Sequence, residues 1–299
     1  MSNKQHTSVG VVVNPRLERA RDIGKNLVEF LMANGVKYVA NVSLDAPILE
    51  SVGNKFSDAV SREQIVSQCD PVVVIGGDGT LIGVARLSGE RPISIIGVNV
   101  GTLGFLAEVS PEESCVVVDN FLQGKSTSEV RALFEARLLR GGKTSRSFVA
   151  VNDIVITKEG IARLFNMEFY ANDKFAGVMR GDGVIVATPG GSTAYSLAAG
   201  GSIVHPQVQA MLVTPICPHA LASRPLVLPD SFSVKFRVLD YSSADGGQVY
   251  LTIDGQEGMA ICSGDEVEVR RSARSVRFVK SSIRNYFDVL ASKLKWATR

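Results

Sequence analysis

The sequence has too few cysteines and histidines for its 299 residues to be organised around sulfur or metal. Cys69, Cys115, Cys217 and Cys262 lie scattered, with no CxxC pair and no histidine cluster beside them. That argues against a disulfide framework and a zinc site, and it fits a reducing cytoplasm. His6, His205 and His219 are the only imidazoles, so histidine chemistry has little to draw on. Long apolar runs are missing too. The N-terminal MSNKQHTSVGVVVN enters an apolar stretch far shorter than a signal-peptide core or the roughly 20 residues of a membrane span. No run of five Lys/Arg occurs, and a formal net charge of +2 gives no basis for binding nucleic acid or an anionic membrane. Any anionic ligand must therefore be held by local donors.

What is present is the composition of a soluble globular protein, 45% hydrophobic and 21% charged, long enough for one large domain or two ordinary ones. The first third alternates strand and helix patterns. VGVVV (9–13) reads as a buried strand, and Asn14-Pro15 breaks it. Leu17, Ala20, Ile23, Leu27, Phe30 and Leu31 then recur at helical spacing up to a stop at Asn34-Gly35. KYVANV (37–42), VVVI (72–75) and ISIIGV (93–98) are further strands. Ser110-Pro111-Glu112-Glu113 carries the pattern of a capping box and opens a helix to about Gly124. Strands alternating with helices predict a parallel sheet covered on both faces.

After about residue 128 the texture changes to short strand-like segments joined by turn residues, from ARLLR and FVAVNDIVI to DEVEVRR and SVRFVK. This predicts an antiparallel sandwich or layered β-domain. The final segment, IRNYFDVLASKLKW, places Ile283, Tyr286, Phe287, Leu290 and Leu294 on one helical face, expected to dock back on the first domain. The chain thus divides into an α/β domain of residues 1–127 plus 281–299, and a β-rich domain of residues 128–280.

Chemistry concentrates where strands end. VVVIGGDGTLIG (72–83) places Asp78 among Gly76, Gly77 and Gly79, ahead of Thr80. Glycines let a ligand approach the backbone, and exposed N–H groups at a helix start form an anion cradle. A carboxylate beside bound phosphates is unfavourable unless it meets a cation or takes a proton, as phosphoryl transfer requires. Five residues alone leave a plain Asp-Gly turn equally open. A second glycine-rich loop, NVGTLGFL (99–106), follows the next strand and contributes Gly101 and Gly104. Later, GDGVIVATP (181–189) leads into GGSTAYS (190–196), an acid followed by a small-residue loop with hydroxyls and Tyr195. Tyr195 can stack on a base there, or the segment can simply cap a helix with Tyr195 in the core.

GGDGT, NVGTLGFL, VNDIVI, GDGVIVATPGGSTAYSLAAGG, PHALASRPLVLP, IDGQ and YFDVLASKLKW together resemble the corresponding stretches of NAD kinases, in order and over most of the chain. GGDGT by itself is shared with diacylglycerol and sphingosine kinases. The resemblance implies an N-terminal Rossmann-like α/β domain, a C-terminal β-sandwich-like domain and a tail returning to the first. It implies phosphorylation of the adenosine 2′-hydroxyl of NAD by ATP with a divalent cation, Mg²⁺, in a cytoplasmic homodimer or homotetramer. Asp78 matches the family's proton acceptor and Gly79 lies beside the dinucleotide. Asn152 and Asp153 match an Asn-Glu pair, with Asp153 the shorter acid. Arg163, Arg180 and Asp182 match positions at or supporting the nucleotide. Thr193, Ala194, Tyr195, Ser196, Leu197 and Ala198 match the adenosine-side loop, and Gln256 a further contact. Gly190 stands where the family usually has a hydroxyl residue. Phosphates are expected on Gly76, Gly77, Gly79, Thr80, Gly101 and Gly104, and the metal ligands are unknown.

By this reading Asp78→Asn keeps fold and nucleotide binding but loses most turnover. Two rivals remain: a lipid or other small-molecule kinase sharing GGDGT, and a non-catalytic dinucleotide-binding regulator. Other motif fragments are weaker. Gly142-Lys143-Thr144 lacks the P-loop glycine at Arg137 and reads as a hairpin turn. GGSTA lacks the last glycine of a nucleophile elbow at Ala194, which leaves Ser192 a poor nucleophile. His219 reads as structural, and Arg270, Arg271, Arg274 and Arg277 as the exposed face of a strand pair.

Overall fold

The computed structural model describes residues 8–41, 60–101, 104–159, 165–239 and 248–296. The chain separates into two compact units, Met1–Val130 with Arg274–Arg299, and Arg131–Ala273.

In the first unit, β-branched runs form the parallel strands β1 (Ser8–Val13), β2 (Tyr38–Asn41), β3 (Cys69–Gly76) and β4 (Ser94–Asn99), in the order β2-β1-β3-β4. Arg277 and Phe278, late in the long final strand Glu266–Val279, pair in parallel with Ser94 and Ile95. Helix α1 (Glu18–Ala33) buries Ala20, Ile23, Leu27 and Leu31, as the spacing predicts. Val28 joins that face, whereas Leu17 stays exposed just ahead of the helix. Gly35, at φ 66°, takes the left-handed conformation that ends it. Helix α2 (Arg62–Gln68) begins with a capping box between Ser61 and Gln64. Helix α3 (Asp78–Ala85) leaves β3 directly, and α4 (Ser114–Leu122) contributes Val117 and Val118 to a core with Val9, Val11, Val73, Ile75, Ile96 and Val98.

The capping pattern at residues 110–113 is present, since Glu113 Oε1 accepts the Ser110 N–H at 2.7 Å, but the helix starts only at Ser114. The same carboxylate takes the Ser281 hydroxyl at 3.0 Å, so it also pins the segment leading into α5 (Tyr286–Leu294). Asn285 and Asp288 cap α5 reciprocally. Its buried face is rotated from the expected one. Val289 and Leu290 are buried, whereas Ile283 and Phe287 are both 67% exposed. Lys293 lies over the Phe105 ring, 5.9 Å from its centroid, so the tail does fold against the first unit.

The second unit is a sandwich. Strands β5 (Ser128–Arg140) and β6 (Lys143–Ala150) are joined by Gly141-Gly142 at φ 58° and 76°, the hairpin turn expected of the GKT fragment. Then follow β7 (Asp153–Glu159), β8 (Phe165–Ala171), β9 (Lys174–Gly181), β10 (Gly183–Ala187), β11 (Ala210–Ile216), β12 (Leu226–Pro229), β13 (Val234–Val238), β14 (Gln248–Ile253), β15 (Glu257–Ile261) and β16 (Glu266–Val279). One sheet runs β12-β11-β10-β7-β14-β15, all antiparallel. The other includes β9-β8-β13-β16, with β5 and β6 alongside. Ile154, Ile156, Val184, Val186, Met211 and Val213 from the first meet Phe165, Phe169, Val234, Phe236 and Val267 from the second, with Phe169 and Phe236 stacked at 5.2 Å. The opposite face of the first sheet, with Val155, Ile185, Ala187 and Leu212, is covered by Ala199 and Val204. β10 is therefore apolar at consecutive positions because it is buried on both faces.

Candidate active site

In the first unit the GGDGT turn makes the passage from β3 to α3. Gly77 precedes the helix and Asp78 is its first residue. The carboxylate of Asp78 points back across the sheet end to the NVGTLGFL loop. Oδ2 accepts the Phe105 N–H at 2.9 Å, and Oδ1 accepts those of Leu106 at 3.2 Å and Ala107 at 3.1 Å. An ionised carboxylate offers about four acceptor positions, so one remains open on this half-buried group. The glycines follow from this geometry. A Cβ on Gly104 would overlap the Asp78 carboxylate, and one on Gly76 would lie 2.8 Å from the Thr80 hydroxyl. Gly77 and Gly101 have open space beside them.

The expected phosphate donors are only partly available. The Gly101 N–H is taken by Asn99 Oδ1 at 2.8 Å, and the Thr80 N–H by the Gly77 carbonyl at 3.0 Å. The Thr80 hydroxyl accepts from Asn14 Nδ2 at 3.2 Å. Asn99 itself, 6% exposed, also donates to the Ala107 carbonyl at 3.3 Å. Of the expected donors in this turn, Gly77 lies in open space just ahead of α3.

In the second unit, Asp153 begins β7 where it pairs with the end of β10, and Asn152 directly precedes it. Their backbone is gripped from two sides. Asp254, in the turn between β14 and β15, accepts the N–H groups of Val151 at 3.0 Å, Asn152 at 2.7 Å and Asp153 at 3.0 Å. Thr188 donates its hydroxyl to the Val151 carbonyl at 2.7 Å, and its N–H to that of Asn152 at 2.8 Å. Gly191 then packs directly on Asn152, where any Cβ would overlap the carbonyl. Gly190 is different, since a Cβ there would find nothing closer than 3.6 Å.

Asn152, Asp153, Ala194, Tyr195, Thr252 and Asp254 line a cavity of about 370 Å³. Asp153 is 5% exposed and accepts the Tyr195 N–H. Burial, reinforced by the nearby Asp254 charge, pushes its carboxyl up to about 7, against the opposing pull of that N–H. Asn152 Oδ1 is buried in the same place with no hydrogen-bond partner among the described residues.

Tyr195 is exposed at 46% at the start of the helical turn Tyr195–Ala198, available for stacking. Ser196 is fully buried with its hydroxyl 2.9 Å from that of Thr214, so its side chain holds the loop and does not face a ligand. Ser192 is likewise buried, donating to the Pro189 carbonyl at 2.6 Å and accepting from Val204, which disposes of it as a nucleophile. Thr193 donates to the Gly190 carbonyl at 3.2 Å. Ala194 lines the cavity, Leu197 is half-buried and Ala198 exposed. Asp182 pairs with Lys158 at 3.1 Å, a supporting place. Arg180 on β9 and Gln256 beside Asp254 are exposed, and Gly79 follows Asp78 in α3. Arg163 lies outside the described residues. The arginine cluster is internal pairing: Arg270 with Glu135 at 2.9 Å, Arg271 with Asp230 at 2.6 Å, and Arg277 on the Ser94 hydroxyl at 3.2 Å. His219 donates its N–H to the Arg180 carbonyl at 2.9 Å. Sequence reasoning missed Asp254 and Thr188. The Asp-Gly pair in IDGQ was the available signal for the first.

A family profile described as the ATP-NAD kinase N-terminal domain matches residues 9–126, and one for the ATP-NAD kinase C-terminal domain matches residues 151–281. The chain belongs to the NAD kinase family. It is 38% identical to the NAD kinase of Geotalea daltonii over 94% of this chain and 95% of that one. It is 43% identical to that of Geobacter metallireducens over 80% and 83%. Among solved structures it resembles yeast NADH kinase complexed with NADH, with a TM-score of 0.87 and 26% identity over 99% of this chain and 90% of the other. An NAD kinase from Archaeoglobus fulgidus in complex with ATP shares the fold, with a TM-score of 0.71 and 23% identity over 95% and 99%.

Two predictions follow from the geometry of the second unit. Folded Asp153 keeps its proton up to about pH 7, whereas the unfolded chain releases it near the ordinary carboxylate value of 3.8. Stability associated with this group is therefore highest at acid pH and declines as pH rises through that window. Asp153→Asn, which keeps an acceptor for Tyr195, gains on the order of 2 kcal/mol more over wild type at about pH 8 than at about pH 5, by urea denaturation. An equal effect at both values contradicts the assignment. The glycines separate likewise: Gly190→Ser leaves the melting temperature within about 2 °C, and Gly191→Ala lowers it by roughly 5 °C or more.

Proposed function

We propose that this enzyme transfers the terminal phosphoryl group of ATP to the adenosine 2′-hydroxyl of NAD. Family membership supports the substrates, since the matching profiles are those of ATP-NAD kinases. The observation that carries the mechanism is Asp78, oriented by three amides at the first turn of α3 with an acceptor position to spare.

The reading assigns dinucleotide binding to the cavity residues of the second unit and proton acceptance to Asp78 of the first. The 2′-oxygen attacks the γ-phosphorus, the bond to the β-bridging oxygen breaks and ADP leaves. The 2′-hydroxyl proton passes to Asp78. The backbone at Gly77, just ahead of α3, offers a phosphate donor, favoured by the helix dipole. Among the described residues no group of three or more His, Cys, Asp or Glu side chains forms a metal site. A divalent cation, Mg²⁺, would offset the charge of the triphosphate when bound. A cytoplasmic homodimer or homotetramer completes the proposal. No helix among the described residues is long and apolar enough to cross a membrane.

One observation favours a second reading. Asp78 already serves the 105–107 loop, and a purely structural Asp78 would suit a dinucleotide-binding regulator with no turnover. It also alters the meaning of Asp78→Asn. The amide NH₂ would confront a backbone donor, so the variant loosens the loop as well as removing the base. NADP⁺ formation from NAD⁺, ATP and Mg²⁺, measured with NAD⁺ binding in parallel, separates the readings. Wild type is expected to turn over, and Asp78→Asn to lose at least about 100-fold in kcat while binding NAD⁺ within about threefold. Binding without turnover in wild type supports the regulator. Near-normal kcat in the variant removes Asp78 as the base.

A further inference from the structure

Asp254 adopts φ 51°, a left-handed conformation that a non-glycine residue holds only when its surroundings repay the strain. Here they do. Its carboxylate accepts three consecutive N–H groups, Val151 through Asp153, at 2.7 to 3.0 Å, and its own N–H donates to the Asp153 carbonyl at 2.9 Å. The strand start at Asn152–Asp153 is thus fixed to the hairpin turn by four hydrogen bonds centred on one residue.

The pair so fixed presents acceptors. Asn152 Oδ1 is buried and unpartnered, and the Asp153 carboxyl lies beside it on the same cavity. Among the described residues no lysine, arginine or histidine lines that cavity. Among the described residues, the titratable side chains that line the cavity with Asp153 are Asp254 from the turn and Tyr195 from the helical turn. β10 brings Ala187 and Thr188 to its end, β14 brings Thr252 and Ile253, and β7 itself adds Val155 and Thr157, all uncharged. A ligand that satisfies this pair must donate hydrogen bonds, as sugar hydroxyls do.

We propose that Asp254 is a positioning residue for dinucleotide binding, holding the Asn152–Asp153 pair towards the cavity and making affinity there fall as the solution is acidified. This rests on reading the cavity as part of the dinucleotide site. The pH dependence follows because an ionised Asp153 accepts hydroxyl donors far more strongly than a protonated one. Burial and the Asp254 charge together bring its titration to about 7. NAD⁺ carries no group that titrates between about pH 6 and 8, so a slope there belongs to the protein.

The test is calorimetric titration of the full chain with NAD⁺ alone, without ATP, across about pH 5.5 to 8.5. Wild type should bind roughly fivefold more weakly at about pH 6 than at pH 8. Asp254→Asn should bind about tenfold more weakly at pH 8, with its midpoint moved to lower pH because the repelling charge is gone. Asp254→Glu, keeping the charge on a longer arm, should lose affinity but restore the wild-type midpoint. Asp153→Asn leaves the clamp intact and should flatten the profile. An unshifted midpoint in Asp254→Asn, or a wild-type slope in Asp153→Asn, overturns the proposal while the dinucleotide reading stands. Absence of NAD⁺ binding by wild type at every pH overturns both.

Discussion

A carboxylate that accepts three consecutive backbone N–H groups recurs in both units, and the local architecture of each candidate half-site depends on it. Asp78 holds Phe105, Leu106 and Ala107, and Asp254 holds Val151, Asn152 and Asp153. Consecutive amides aimed at one point form an anion nest that often receives a phosphate. Here the chain fills both nests itself. Hydrogen bonds to a charged acceptor contribute roughly 1.5–3 kcal/mol each, and removing the acceptor orphans three donors at once. Loops that would otherwise be loosely determined acquire one conformation, and the side chains they carry gain fixed directions.

The glycines are explained by the same two clamps. At Gly104 the reason is the approach of the Asp78 carboxylate, and at Gly191 the approach of the Asn152 carbonyl. Neither residue has a positive φ. The glycine-rich look of these loops therefore reflects close packing around buried hydrogen bonds as much as openness to a ligand. Gly190, with room beside it, is free of that constraint, so the missing hydroxyl at this position is no steric necessity.

Much of this was legible in the sequence because it rests on local periodicity. Parallel strands 9–13, 72–75 and 93–98, the helix ending at Asn34-Gly35 and the hairpin at Gly141-Gly142 all depend on neighbours close in the chain. The capping box of helix α2, Ser61 with Gln64, is equally local. Long-range matters were hidden. The face of α5 turned towards Val289 because Glu113 and Ser281 set the approach of the preceding segment, 168 residues apart in sequence. Ser196 looked like a ligand-facing hydroxyl and is instead a buried partner of Thr214. Asp254 passed unnoticed because its significance lies in amides about a hundred residues away. Motifs mark where chemistry gathers, but not which donors are already engaged.

The most direct measurement is residue-resolved amide hydrogen exchange by NMR on wild type, Asp78→Asn and Asp254→Asn. The account predicts selective acceleration at residues 105–107 in the first variant and at 151–153 in the second, each leaving the other segment protected. Unchanged exchange at both segments, or a uniform rise across the chain, would contradict the claim that these two carboxylates organise the candidate site.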